Sequence, residues 1–354
     1  MGVNAEFMQA VQEIGKEKGI LPEVLFEAVE VALISAYKRN FNSAQNVRVS
    51  LDRETGDIHV YSRKIVVDEL DDPKLEITLP EALQLDPRYV VGDIVEIEVT
   101  PRNFGRIAAQ TAKQVVVQRI REAERGMVYE KFSNRESDIV TGIVQRVEQK
   151  NVFIDLGRAE AILTPSEQIP GEIYHHLDRI KTYIIEVKKM NKGPQIMVSR
   201  THPGLLKRLF ELEVPEIHDG VVEIKAVARE SGLRSKIAVY TKDENVDPVG
   251  ACVGHKGMRV QTIVNELRGE KIDIVKYSTD PAVYVANALS PAKVVSVDVN
   301  EAEKICRVIV PDYQLSLAIG KEGQNARLAA KLTGWKIDIK SESQAAGLQE
   351  DELL

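Results

Sequence analysis

The tetrapeptides Gly254-His255-Lys256-Gly257 and Gly320-Lys321-Glu322-Gly323 lie 66 positions apart in one shared frame: a short apolar run before, an amphipathic stretch after, then Lys-Ile-Asp-Ile. An internal repeat constrains a fold more than any single motif, because each copy must bury its apolar face with the same elements. The first copy reads as strands over Val221 to Ala228 and Lys236 to Tyr240, a helix over Val249 to Val253, the glycine pair, a helix over Arg259 to Leu267, and a strand from Lys271. The second reads as strands over Val294 to Val299 and Ile305 to Val310, a helix over Leu315 to Ile319, the glycine pair, a helix over Gln324 to Leu332, and a strand from Lys336. Gly269 and Gly334 stand where the later helix of each copy should stop, the position of a left-handed cap.

Glycines at a helix junction let a polyanion approach the backbone, and the amides that open the next helix add donors and a partial positive charge. The order strand-strand-helix-Gly-x-x-Gly-helix-strand resembles the KH fold in its type II (prokaryotic) topology, which clamps a few nucleotides of single-stranded RNA. A lone Gly-x-x-Gly carries little weight, since helix turns use glycine freely; two copies in one frame carry much more. In this reading Gly254, Gly257, Gly320 and Gly323 shape the loops, Lys256 and Lys321 place charge near phosphates, and His255 supplies a hydrogen bond or a pH switch. Glu322 repels phosphate unless it turns outward, which ranks the first loop as the stronger contact. Arg259, Gln261, Gln324, Asn325 and Arg327 open the following helices, where they can meet splayed bases, while Gln324 and Asn325 serve equally well as helix caps. Arg268 and Lys276 are expected to be solvated.

Charge narrows the nucleic-acid reading. The net charge of -7 excludes a polycation that coats nucleic acid, so binding must come from local patches. Residues 221 to 340 hold 18 Lys/Arg against 15 Asp/Glu and are the only net basic stretch. Residues 1 to 133 hold 17 against 22, residues 134 to 220 hold 12 against 13, and residues 341 to 354 hold 0 against 4.

With 354 residues, 44% of them apolar, the chain can build several small cores. Cys252 and Cys306, both in apolar stretches, read as buried thiols in a reducing cytosol rather than a disulfide framework or a zinc site. No apolar run approaches the about 18 residues of a membrane span, and the N-terminus lacks a basic-then-apolar signal pattern. Met1-Gly2 fails the myristoylation pattern because Glu6 stands where Ser or Thr is needed. A cytoplasmic protein without membrane contact is expected.

Four pieces follow, plus a tail. Residues 1 to 133 form an α+β N-terminal domain. Helical spacing runs through Phe7, Val11 and Ile14 and then from Val24 to Leu33, with Leu21-Pro22 between. Strands over Val47 to Leu51 and Ile58 to Val67 flank a turn at Glu54 to Asp57, a third strand spans Ile94 to Val99, and a long helix covers about Gly105 to Lys131. The domain is acidic and has no phosphate loop, so it reads as a protein-docking domain rather than a bare scaffold.

Residues 134 to 200 carry five short strands, the signature of an OB-type β-barrel, and resemble an S1 domain. Such barrels stack bases on aromatic rings in a basic groove. Phe153 and Tyr183 are the aromatic candidates, with Arg146, Arg158, His175, His176 and Lys188 beside them. Taken singly, each fits core or solvated surface as well. The repeats occupy 201 to 277 and 278 to 343, and 344 to 354 form a short acidic tail, so the fold class is multidomain α+β.

Catalysis finds no support. Gly250 to Lys256 has the wrong spacing for a nucleotide-binding loop, His175-His176 has no acidic or cysteine neighbour at ligand spacing, and no nucleophile elbow is present. No cofactor or metal is expected.

An α+β head ending in a long helix, an S1-like barrel and two KH units together resemble the NusA family of bacterial transcription elongation, termination and antitermination factors. The resemblance runs from Asn4 to Ser343. It is carried by Leu33 to Lys38, Glu213-Val214-Pro215-Glu216-Ile217, and most specifically by Asp247 to Gly254 and Leu315 to Asn325. It implies a non-enzymatic monomer whose head docks on RNA polymerase and whose S1-KH-KH array takes single-stranded nascent RNA, modulating pausing, termination and antitermination with other Nus factors as partners. The competing reading is an accessory RNA-binding subunit of an RNA-processing or ribosome-associated complex.

Overall fold

A computed structural model describes residues 5–41, 46–191 and 193–351. Met1-Gly2, Asn4 and the last three residues of the expected acidic tail lie outside the described residues. Residues 1–128 form one compact unit and residues 129–354 a second.

In the first unit α1 (Ala5–Lys18) and α2 (Pro22–Phe41) are joined by a tight turn in which Gly19 takes φ +68° and Pro22 opens the second helix. Strands β1 (Val47–Leu51) and β2 (Ile58–Val67) form a hairpin whose turn is held by Asp52, whose carboxylate accepts from the N–H groups of Glu54 and Thr55 at 2.8 and 2.7 Å. Next come β3 (Glu76–Thr78), α3 (Leu79–Leu85), β4 (Ile94–Glu98) and α4 (Phe104–Ser133). Leu25, Val29 and Leu33 of α2, Val49 and Val60 of the hairpin, and Phe104, Ala108 and Ala112 of α4 share one core.

The sequence reading did not anticipate β3 and α3. A three-residue strand has no periodicity to detect, and β3 is defined by parallel pairing to the far end of β2, from Ile65↔Glu76 to Val67↔Thr78. Together they close a second small core of Val66, Ile77, Ala82 and Val95. A local signal was present: the Glu81 carboxylate accepts from the Thr78 N–H and hydroxyl, the reach-back of a capping sequence.

The second unit begins with a closed barrel of β5 (Ile139–Glu148), β6 (Asn151–Asp155), β7 (Glu160–Leu163), β8 (Arg179–Met190) and β9 (Gly193–Ser199), in the order β5-β6-β7-β9-β8. Gly142 is required, because a Cβ there would lie 2.4 Å from Ile154 Cγ2 and 2.8 Å from the Asp155 carbonyl oxygen. Val144, Ile154, Leu163, Ile184, Ile196 and Val198 fill the interior.

The first repeat contains α5 (Pro203–Glu213), α6 (Pro215–His218), β10 (Val222–Glu230), β11 (Arg234–Thr241), α7 (Pro248–Val253), α8 (Met258–Glu266) and β12 (Lys271–Lys276). The second contains α9 (Pro281–Ala288), β13 (Ser296–Asn300), β14 (Ile305–Val310), α10 (Leu315–Ile319), α11 (Gln324–Thr333) and β15 (Lys336–Ser341), followed by α12 (Glu342–Asp351). Each repeat folds a three-stranded sheet with its last two strands parallel, and the registers match: Lys236↔Asp273 in one, Arg307↔Asp338 in the other. The sequence reading left out the leading helices α5, α6 and α9. Asp280-Pro281 announces α9, and the Asp280 carboxylate indeed accepts from Ala282 N–H at 2.8 Å.

The two repeats treat the outer faces of their sheets differently. In β11 every residue from Ser235 to Val239 is buried, whereas a strand covered on one side alternates. Ile237 and Val239 pack with Leu209, Phe210, Cys252 and Ile263 of their own repeat. Ala238, with Ala228 and Val275, packs with Tyr284, Val285, Leu328 and Ala329 of the second repeat. The first sheet is therefore filling between two helical layers. The second sheet alternates, and its outer face carries an exposed row of Asp298, Arg307 and Asp338, the polar end surface of a stacked array.

Barrel and first repeat share a buried ionic joint. Arg200, at 1% side-chain exposure, donates through Nη2 and Nε to the Glu172 carboxylate at 2.7 and 2.8 Å, and to the carbonyls of Lys181 and Glu266. Arg268 is not simply solvated as expected: with φ +56° it turns toward the barrel and pairs with Asp178 at 3.3 Å.

Candidate nucleic-acid interface

Both glycine loops have one construction. Gly254 ends α7 at φ +73° and Gly257 opens α8 at φ +78°; Gly320 and Gly323 repeat this at +77° and +73°. The first glycine of each pair is fixed twice over, by backbone sign and by space. A Cβ on Gly254 would lie 2.7 Å from Arg259 Cγ, and one on Gly320 would lie 2.7 Å from the Asn325 backbone nitrogen. The second glycines meet nothing closer than 3.9 Å, so only their backbone sign demands glycine. Between them, Lys256 and Glu322 also sit in the left-handed region, at φ +50° and +55°.

Inside this frame the expected site residues divide into two groups. His255, Lys256, Lys321 and Glu322 are exposed, and among the described residues neither lysine is held in an ion pair. Two side-chain cations thus stand free at the loop tips, as the motif requires.

Arg259 and Asn325 both turn toward backbone carbonyls, which favours the capping alternative for Asn325. Arg259 Nη1 donates to the Ala251 carbonyl at 2.6 Å and pairs with Glu216 at 2.9 Å. Asn325 is 4% exposed, and its Nδ2 donates to the carbonyls of Leu289, Leu317 and Ala318 at 2.9, 3.3 and 3.1 Å. Asn325 therefore does cap a helix, though the capped end is the C-terminus of α10 rather than the start of its own helix. Orphan carbonyls at a helix end need donors, and the buried Asn325 amide that faces them has none left for a base.

Gln324 and Arg327 do reach the surface but are engaged by the first repeat. Gln324 Nε2 donates to Glu230 Oε2 at 2.9 Å and Arg327 Nε to Glu230 Oε1 at 2.6 Å, while Arg327 Nη1 also donates to the Glu322 carbonyl at 3.2 Å. These residues line a cleft of about 560 Å³ between the β10–β11 turn and the second loop, with Arg234 and Lys271 on its walls. Gln261 in the first repeat bonds its neighbour Asn265 at 2.9 Å.

On the barrel, Arg146 lies over the Phe153 ring, 4.0 Å from its centroid, and pairs with Glu160 and Glu148. The ring expected to stack bases is thus covered by the cation expected beside it. Tyr183 is buried and stacks on His202 at 4.5 Å, so it belongs to the core. His176 bonds the Gln145 carbonyl oxygen at 2.7 Å, and Lys188 pairs with Glu186.

The carboxylates Glu160, Glu216 and Glu230 escape sequence reasoning because each meets its arginine across 14 to 97 positions. Glu216 and Glu230 thereby offset the charge of Arg259 and Arg327 in the basic stretch, and Glu160 does the same for Arg146 on the barrel. Burial pushes the Cys252 thiol up to about 12, consistent with an inert interior thiol. Among the described residues no group of His, Cys, Asp and Glu could hold a metal ion, and no helix is long and apolar enough to cross a membrane.

Comparison with known proteins adds four domain matches in chain order. Residues 6–126 match the NusA N-terminal domain, 134–199 the S1 RNA binding domain, 200–277 the NusA-like first KH domain, and 281–347 the NusA-like second KH domain. The chain is 68% identical over 352 residues to a transcription termination/antitermination protein NusA from Halalkalibacterium halodurans, covering 99% of this chain and 92% of that one. It is 67% identical over 346 residues to the protein of that description from Bacillus subtilis, covering 98% and 93%. A solved solution structure of the N-terminal domain of NusA from B. subtilis is 65% identical, covers 34% of this chain and 98% of that one, and has a TM-score of 0.32.

Proposed function

This chain belongs to the NusA family of transcription termination/antitermination proteins, and from that premise we propose that it tethers nascent RNA to RNA polymerase and thereby modulates pausing, termination and antitermination. The carrying observation is the pair of loops built alike, each with two positive-φ glycines and a free lysine at its tip. Backbone amides at the start of α8 and α11 and the side chains of Lys256 and Lys321 supply contacts to sugar and phosphate that hold a strand without reading it.

The unit of residues 1–128 supplies the polymerase contact in this reading. Other Nus factors join on the assembled complex. A tether of this kind works with weak modules, because holding one contact raises the effective concentration at the next. The protein acts by binding, with no chemical step of its own.

The test substitutes both first glycines, Gly254→Asp with Gly320→Asp, in the full chain. Single-stranded RNA affinity, read by fluorescence anisotropy, is expected to fall about a hundredfold, since each substitution adds a charge facing phosphate and a side chain where a Cβ has no room. Retention of the double variant on immobilised RNA polymerase is expected to match the parent. Unchanged RNA affinity overturns the reading of the loops, and loss of polymerase retention by the parent overturns the tether.

A further inference from the structure

We propose that Glu230, on the first repeat, is an internal stand-in for RNA phosphate at the second loop, restraining that loop's affinity by occupying the donors a transcript would use. The inference rests on the RNA-binding reading above and deepens it for one loop.

The geometry carries it. Glu230 projects from the end of β10 across the inter-repeat cleft, and its two oxygens take Gln324 Nε2 and Arg327 Nε, on the first and fourth residues of α11. A planar two-oxygen anion received at a helix N-terminus by an amide and a guanidinium is the arrangement a phosphate group would adopt there. The carboxylate is 16% exposed and the guanidinium 48% exposed, so a strand entering the cleft can reach the pair. Arg327 also donates to the Glu322 carbonyl, so what Arg327 pairs with bears directly on the loop.

The first repeat shows what the arrangement adds. The position of Arg327 is there taken by Gln261, whose amide bonds Asn265 four residues on, and among the described residues no carboxylate of another repeat reaches it. The first loop also carries Lys256 where the second carries Glu322. The first loop's counterpart of Arg327 is thus an uncharged amide, whereas Arg327 itself is held by a carboxylate of the neighbouring repeat. RNA must displace Glu230 to gain the Arg327 Nε and the Gln324 amide, and the displaced carboxylate then faces solvent in the cleft.

The test uses the full chain, Glu230→Gln and a single-stranded RNA oligonucleotide, with affinity measured across a salt series. Glutamine keeps the shape and one acceptor but removes the charge. The variant is expected to bind about tenfold tighter, as a guanidinium freed for a charge-assisted contact implies, with the log-log salt slope steeper by about 0.7. Adding Arg327→Gln to Glu230→Gln should abolish the gain. Equal or weaker binding by Glu230→Gln at an unchanged unfolding midpoint overturns the proposal and leaves Glu230 a brace between the repeats.

A second measurement needs no substitution. Saturating RNA added to the parent should shift the Glu230 side-chain carboxyl NMR resonance toward that of an unpaired glutamate, and an unmoved resonance overturns the proposal. If parent and variant both fail to bind RNA, the underlying RNA-binding reading falls first.

Discussion

Arg259 and Asn325 occupy the same place in the two repeats, five residues after the first glycine of each loop, and each donates to carbonyls that end the preceding helix. Two chemically different residues solve one problem, the orphan carbonyls of a short helix that stops at glycine. Asn325 does so in the interior, where Nδ2 has three carbonyl partners and Oδ1 is buried without one.

Asn325→Asp should therefore destabilise the second unit more than Asn325→Ala. Alanine strands carbonyls, at about 1–3 kcal/mol. Aspartate turns a donor into a fourth acceptor and adds a buried charge, which costs several kcal/mol unless it takes up a proton. Urea unfolding of both variants checks the order, and equal losses would contradict the capping role.

The two glycines of a pair should not be equivalent. Gly257→Ala meets only backbone strain, about 1–2 kcal/mol. Gly254→Ala adds a clash with the Arg259 side chain and should lose more, with RNA affinity falling alongside stability. Thermal unfolding of the two single variants measures the difference, and a larger loss at Gly257 would overturn the packing argument.

The contact between repeats should be acid-sensitive through Asp273. Burial pushes this carboxyl up, but Arg234 and Lys236, at 2.7 and 2.9 Å, outweigh burial and hold it below its ordinary value of 3.8. Its stabilising contribution is then present above that ordinary value and lost as pH falls through the lower folded value. At neutral pH, Asp273→Asn leaves Lys236, at 0% side-chain exposure, with no carboxylate partner and should cost about 3–5 kcal/mol. As pH falls below that ordinary value and through the lower folded one, the parent's own carboxyl takes up its proton, so the gap between parent and variant should narrow. A gap constant with pH would show that the pair does not titrate with folding.

The repeat was legible because its signals are local: glycine spacing, apolar periodicity, Lys-Ile-Asp-Ile. All five barrel strands were legible for the same reason. What escaped is relational. Nothing near Lys236 says that it lies at the bottom of an interface with its ammonium on the Ser290 carbonyl at 2.7 Å; a lysine in a strand reads as an outer-face residue until the second repeat covers that face. Glu230 and Glu216 read as ordinary surface carboxylates for the same reason. The arginines were recognised as cations, but their availability depended on partners that only the tertiary fold supplies.

The first repeat's sheet, sealed on both faces, has one more consequence. Two RNA-gripping modules joined by a flexible string would accept any number of nucleotides between their grips. Here no string exists: Ala238 and Val275 are set into the helices that carry the second loop, so the spacing of the grips is a property of the protein. The array can act as a ruler, and a transcript that lengthens or shortens between its two held segments must bulge or stretch to stay on it.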